Sequence, residues 1–116
     1  MIKLYGINNC DSVKKAQRWL NNNQQKYQFH DFRVNGLDSA KISSWLTQID
    51  KMELLNKRST TWRQLSDKDK SDLSTSNIKK LLLNNCTLIK RPVLEVNKKI
   101  YIGFSDTRYR EIFNLE

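Results

Sequence analysis

The chain has 116 residues and a mass of 13.8 kDa, and its 21 lysines and arginines outnumber its 12 aspartates and glutamates, for a formal charge of +9. That length suits one domain with one core, and no apolar run approaches the roughly 20 residues a membrane span needs. Two cysteines 76 positions apart exclude a disulfide scaffold, one histidine argues against most zinc sites, and a soluble protein of a reducing cytoplasm is expected.

Taken in order, Ile2-Lys3-Leu4-Tyr5-Gly6 is short, β-prone and closed by glycine, which predicts a strand. After Ile7-Asn8-Asn9-Cys10, the residues Val13, Ala16 and Leu20 recur at helical spacing. A helix of about 11 residues is expected there, started by Asp11 or Ser12 as cap and ended by Asn21-Asn22-Asn23. Tyr27 to Phe32 alternates apolar and polar residues, as a second strand does. A strand, helix and strand in this order favour a parallel pair.

The middle is helical by pattern. Asp38 can cap a helix bearing Ile42, Trp45, Leu46 and Ile49, and Asp50 a short one bearing Met52 and Leu55. A turn follows around Thr60 to Leu65, then a helix carrying Ile78, Leu81 and Leu82. Pro92 to Val96, Asn97-Lys98-Lys99 and Ile100 to Gly103 read as a hairpin, and Ser105 or Asp106 starts a last helix with Tyr109, Ile112 and Phe113. The order β-α-β, helices, β-β-α is that of a thioredoxin-like α/β fold with a helical insertion between its halves.

Cys10 falls where a strand's carboxyl end turns into a helix. Backbone N–H groups point at that place, and the helix dipole adds about half a positive charge. A thiol so placed tends to ionise near neutral pH, and the thiolate is the nucleophile. The competing reading is an ordinary buried cysteine, a common fate of free thiols. Lys14 and Arg18 on the following turns add positive potential, and Asp11 opposes it.

The single proline, Pro92, stands directly before a strand, where its missing N–H does little harm. X–Pro bonds are cis in about 5–6% of cases in folded proteins, so the residues alone predict trans. Arg91 is either a solvated charge or an anion clamp facing Cys10, a role its planar fork suits. Cys86 follows Asn84-Asn85 beside no expected helix start, and Asp11-Ser12-Val13 after Cys10 leaves no C-x-x-C pair, so Cys86 reads as structural. His30 reads as a surface or hydrogen-bonded residue rather than a base, and Trp19, Trp45 and Trp62 as core. The lysines are dispersed with no interleaved aromatic stripe, so nucleic acid is not an expected partner.

Several blocks, in order along the chain, carry a resemblance. They are Lys3 to Ala16 around Gly6-Ile7-Asn8-Asn9-Cys10, then Phe29-His30-Asp31-Phe32-Arg33-Val34-Asn35-Gly36-Leu37, then Leu54 to Arg63 with Asn56-Lys57-Arg58-Ser59-Thr60-Thr61-Trp62, then Ile89-Lys90-Arg91-Pro92, then Gly103-Phe104-Ser105-Asp106. Together they resemble the arsenate-reductase (ArsC) family, most of all its YffB-type branch and more distantly the Spx transcription regulators. The resemblance implies one thioredoxin-like domain over residues 1–116, with the helical insertion at about 38–85, a nucleophilic Cys10 and a cis Pro92 facing it. In the arsenate reductases three arginines hold the oxyanion. Arg91 matches one of them, Asn56 stands at the second position with Arg58 close by, and Gly103 stands at the third. The Spx redox switch uses a second cysteine three positions on, where this chain has Val13.

The function this implies is glutathione-dependent thiol-disulfide reduction by a single nucleophilic cysteine. Cys10 and Arg91 are the expected catalytic residues, and Asn9, Lys14, Arg58, Arg91 and Pro92 the expected binders of glutathione or substrate. No metal site and no bound cofactor are expected; glutathione is the expected co-substrate. The expected partners are glutathione and a small-molecule or protein disulfide, with the protein a monomer. The alternatives are arsenate reduction and a non-enzymatic, Spx-like regulator that binds RNA polymerase. The positive excess lies in residues 1–37 (six basic, two acidic) and 50–91 (ten basic, five acidic), two regions expected to frame Cys10, and fits attraction of a small anion.

Overall fold

The computed structural model describes residues 1–115, which fall into two compact units. One comprises residues 1–35 and the chain from Arg91 onward; the other is Gly36–Lys90.

The first unit is built on a four-stranded sheet of β1 (Ile2–Gly6), β2 (Gln28–Asp31), β3 (Val93–Val96) and β4 (Lys99–Ile102) in the order β2-β1-β3-β4. β1 runs parallel to β2, with Gly6 opposite Asp31, and antiparallel to β3, with Tyr5 opposite Val93. The β3–β4 hairpin turns on Asn97 and Lys98 at φ of 50° and 74°, the left-handed pair that a tight two-residue hairpin requires. Two helices complete the unit's main frame, α1 (Asp11–Asn22) and α8 (Asp106–Ile112), with a single turn α2 (Phe32–Asn35) after β2.

Side chains alternate along a strand, so β1 sends Leu4 and Tyr5 to opposite faces. Leu4 joins Val13, Ala16, Trp19 and Leu20 of α1, Leu94 of β3 and Tyr109 of α8 in one buried cluster. The Tyr5 ring meets that of His30 at a tilt, 5.0 Å between centroids, and stacks with that of Phe32 at 6.4 Å. The helical spacing read in α1 is therefore the spacing of its buried face, with Trp19 added. α1 approaches the end of β1 so closely that a Cβ on Gly6 would lie 2.6 Å from Val13 Cγ2. Only glycine tolerates that contact unchanged.

The second unit, Gly36–Lys90, is helical: α3 (Ser39–Leu46), α4 (Lys51–Leu54), α5 (Thr60–Gln64), α6 (Asp67–Ser71), α7 (Thr75–Asn84) and a 3-10 turn at Cys86–Leu88. Short polar residues cap most of these. Asp38 accepts from the Lys41 N–H at 2.7 Å, Ser59 from Trp62 at 3.1 Å, Ser66 from Asp69 at 3.2 Å and Ser74 from Asn77 at 3.3 Å. The core holds Ile42, Trp45, Leu54, Leu55, Ile78, Leu81, Leu82, Leu88 and Ile89. Backbone bonds from Asn56 to Leu88 (2.7 Å) and from Lys90 to Leu54 (2.8 Å) tie its two extended stretches together.

Several local expectations are corrected. The cap of α1 is Cys10 itself, extended at φ −141° and ψ 124°, rather than Asp11 or Ser12. The second strand ends at Asp31, because Phe32 already begins α2. α6 had no counterpart in the sequence reading, and Cys86 does start a helical turn, although one of three residues. Trp62 is only half-buried, with Lys57 Nζ 5.6 Å from its ring centroid. The Arg91–Pro92 bond is cis, against the trans form the residues alone predict and as the family resemblance implies.

Candidate active site around Cys10

Cys10 is half-buried and packs against the Leu4–Tyr109 cluster, with its neighbours Asn8, Asn9, Asp11 and Ser12 exposed. As the cap of α1 it lies where three backbone N–H groups of the first turn lack partners within the helix. Cys10 makes no capping hydrogen bond with its side chain, but two of these, from Val13 and Ser12, act on the thiol electrostatically. The Arg91 side chain adds a hydrogen bond and its charge. Burial pushes the thiol's pKa up, but the Val13 N–H, the Arg91 guanidinium and the Ser12 N–H together outweigh it. The Cys10 thiol is held below the ordinary cysteine value. Geometry and charge thus favour the form that attacks.

The first unit brings Cys10 and Arg91 into contact, although 80 residues separate them in the chain. Pro92 is buried directly after Arg91; its carbonyl accepts from the Gly103 N–H at 2.9 Å, which places it at the start of the hairpin. Asn9 is exposed beside the cysteine, and Lys14 is exposed on the first turn of α1, its backbone N–H bonded to the Cys10 carbonyl at 2.9 Å. Arg58 belongs to the second unit, exposed in the turn before α5, where its backbone N–H donates to Asn56 Oδ1 at 3.1 Å. Asn56 turns its side chain to that local bond. Gly103 adopts φ +83°, a backbone that residues with a side chain rarely take. Cys86 also belongs to the second unit and is half-buried.

One residue near the site escaped the sequence reading. Asp31, 8% exposed, accepts from the Asn8 N–H at 3.1 Å and from the Arg33 N–H at 2.8 Å. The available signal was an aspartate at a strand's carboxyl end, where Asx turns are common. Among the described residues no group of three His, Cys, Asp or Glu side chains can hold a metal ion. Nor does any helix among them have the length and apolarity to cross a membrane.

A cysteine at a helix cap, joined by an arginine that precedes a cis-proline on this sheet, defines a one-cysteine thiol site on a thioredoxin-like fold. The chain belongs to the ArsC family, whose model matches residues 5–112. It is similar to the solved structure of a YffB protein, with a TM-score of 0.92 and 35% identity over 96% of this chain and 97% of that one. It is 43% identical to an uncharacterized protein of Haemophilus influenzae over 113 residues, 97% of this chain and 99% of that protein. A global transcriptional regulator Spx of Streptococcus mutans is 31% identical, over 95% of this chain and 81% of its own length.

Proposed function

We propose that the protein is a thiol-disulfide reductase that uses Cys10 as its single nucleophile and glutathione as co-substrate. The observation that carries this reading is Cys10 at the cap of α1 with the Arg91 guanidinium acting on its sulfur, which together hold the thiol below its ordinary pKa.

The Cys10 thiolate attacks the glutathione sulfur of a glutathionylated substrate. The substrate leaves as a thiolate that takes a proton from water, and Cys10 is left in a mixed disulfide with glutathione. A second glutathione thiolate attacks its fellow glutathione sulfur, forming glutathione disulfide and returning Cys10 as thiolate. The net change is a disulfide exchange in which one free glutathione thiol is consumed, the substrate regains its thiol, and the glutathione it carried leaves as half of glutathione disulfide. No second cysteine lies within the first unit, whose one cysteine is Cys10, so an external thiol suits the second step. Arg91 stabilises Cys10 both as attacking and as leaving thiolate, and Asn9, Lys14 and Pro92 of the same unit bind the tripeptide.

The test is turnover of a glutathionylated peptide, with mass spectrometry of Cys86→Ala protein treated with glutathione disulfide. Turnover that disappears in Cys10→Ser, together with a glutathione adduct on Cys10, is expected. Absence of both overturns the reading. Equal turnover in Cys10→Ser would transfer the activity elsewhere and overturn it equally.

A further inference from the structure

The connection from β1 to α1 is four residues, Ile7–Cys10, and its placement decides whether the sulfur meets the helix N–H groups. Its far end is secured by α1, whose Val13 is packed tightly onto Gly6. At its near end Ile7 is buried, but Asn8 and Asn9 are exposed and have no apolar packing to hold them. The fixed point in this stretch is the bond from the Asn8 N–H to Asp31 Oδ2.

Asp31 sits opposite Gly6 in the parallel β1–β2 pairing, level with the end of β1. Among the described residues it is the polar side chain that falls in the buried class. Burying a carboxylate is costly unless hydrogen bonds replace its water. Its Oδ1 has a local reason to be there, since it receives the Arg33 N–H at the start of α2. An asparagine or serine would do that as well. Its Oδ2 has no such local purpose and is turned to the cysteine loop. A carboxylate presents two acceptors and no donor, whereas an amide presents one of each, so the pair of N–H groups from Asn8 and Arg33 selects aspartate.

We propose that Asp31 is a positioning residue for Cys10, clamping the Asn8 end of the loop so that the cysteine stays at the cap of α1. The inference rests on the reading of Cys10 as the working nucleophile. The charged groups around the thiol are Arg91 on the sulfur, Asp11 next in the chain and Lys14 one turn along. As a bare negative charge, Asp31 would disfavour the thiolate, and neutralising it would make Cys10 more acidic. As a clamp it has the opposite effect, because a loosened loop takes the sulfur away from the Val13 and Ser12 N–H groups. The two roles differ in sign.

The experiment is the pH profile of iodoacetamide alkylation at Cys10, in a Cys86→Ala background, for wild type, Asp31→Asn, Asp31→Ala and Asn35→Ala. Asn35 accepts from the Asp31 N–H at 3.0 Å and, among the described residues, makes no hydrogen bond to the loop, so its removal reports the general loosening of this corner. The expected result is a raised Cys10 pKa in both Asp31 variants, with alkylation at pH 7 slower by about two- to tenfold and asparagine the milder. Asn35→Ala is expected to keep the wild-type profile while its melting temperature falls. If Asp31→Ala does not fold, the isosteric Asp31→Asn decides. An unchanged or lowered Cys10 pKa in that variant overturns the inference alone. A wild-type pKa at the free-thiol value overturns the proposed function and this inference with it.

Discussion

The indole N–H of Trp19 donates to Asp106 Oδ1 at 2.7 Å, joining α1, the helix that Cys10 caps, to α8 near the end of the chain. The other oxygen of Asp106 receives Arg110 Nε at 2.8 Å. The Arg110 bond first, and then the Trp19 bond, hold the Asp106 carboxyl below its ordinary pKa. A carboxyl depressed on folding contributes its stability above the unfolded value, near 3.9, and loses it as pH falls through the folded value. Asp106→Asn is therefore expected to lower the melting temperature modestly at neutral pH and to match wild type at the acid end. Thermal unfolding followed by tryptophan fluorescence over a pH series checks both halves.

Gly6 is expected to tolerate no side chain. The 2.6 Å approach of its virtual Cβ to Val13 meets a β-branched residue that is itself fully buried and has no room to turn. Gly6→Ala is expected to cost about 1–3 kcal/mol in urea unfolding, the usual penalty of overpacking. Because Val13 also supplies an N–H to the thiol, the same substitution is expected to slow alkylation of Cys10 at neutral pH.

The thiol's own titration gives a signed prediction. A Cys10 pKa below the unfolded value, about 8.5, means that the native state sheds its proton first. Stability of wild type relative to Cys10→Ser is expected to rise with pH across the interval from the folded value to about 8.5, and to be flat below it. Arg91→Ala is expected to narrow that interval by raising the Cys10 pKa, since the guanidinium's hydrogen bond and charge both hold it down. Arg91→Lys restores the charge without the planar fork and is expected to fall between them.

Arsenate is expected to be a poor substrate. Arg91 is the guanidinium of the first unit that acts on the thiol among the described residues, Asn56 turns its oxygen to the local Arg58 N–H, and Gly103 sits at φ +83°, where a side chain is strained. Arsenate-dependent oxidation of glutathione is expected to stay at the level of Cys10→Ser at saturating arsenate. A clear excess over that level would favour the alternative, arsenate reduction, over thiol-disulfide reduction.

The Tyr109 ring packs against Trp19, Phe104 and Phe113, and its buried hydroxyl has no hydrogen-bond partner among the described residues. Burial raises its pKa strongly, against a smaller opposing pull from Arg108. Removing an unpaired buried hydroxyl relieves a desolvation cost of about 1–3 kcal/mol, less the packing it loses. Tyr109→Phe is therefore expected to be neutral or stabilising in urea unfolding.

Elements with an apolar face were legible in the chain, because α1, α3 and α7 each repeat buried residues at helical spacing. α6, Asp67-Lys68-Asp69-Lys70-Ser71, buries nothing, so periodicity had no signal to offer; only the Ser66 cap marks it. The position of Cys10 at a strand-to-helix turn was legible, but its rank as cap was not, since Asp11 and Ser12 are better capping residues by type. Aspartate instead opens the first turn, where its charge suits the dipole. The sulfur's contact with Arg91 depends on pairing β1 with β3, a long-range event that no local pattern encodes. Asp31 was missed for a related reason: its second acceptor faces a loop 23 residues earlier in the chain.

β4 ends the sheet, and an end strand offers its unpaired backbone groups as a template for another chain. Lys99 Nζ of this strand and the Arg108 guanidinium of α8 lie 5.5 and 5.7 Å from the ring centroid of Tyr101, also on β4. Two copies meeting edge to edge would set these cations against their own duplicates, in a molecule that already carries +9. The positive excess thus has a use that needs no ligand. Positive charge gathered at the edge of a sheet opposes its pairing with a second copy.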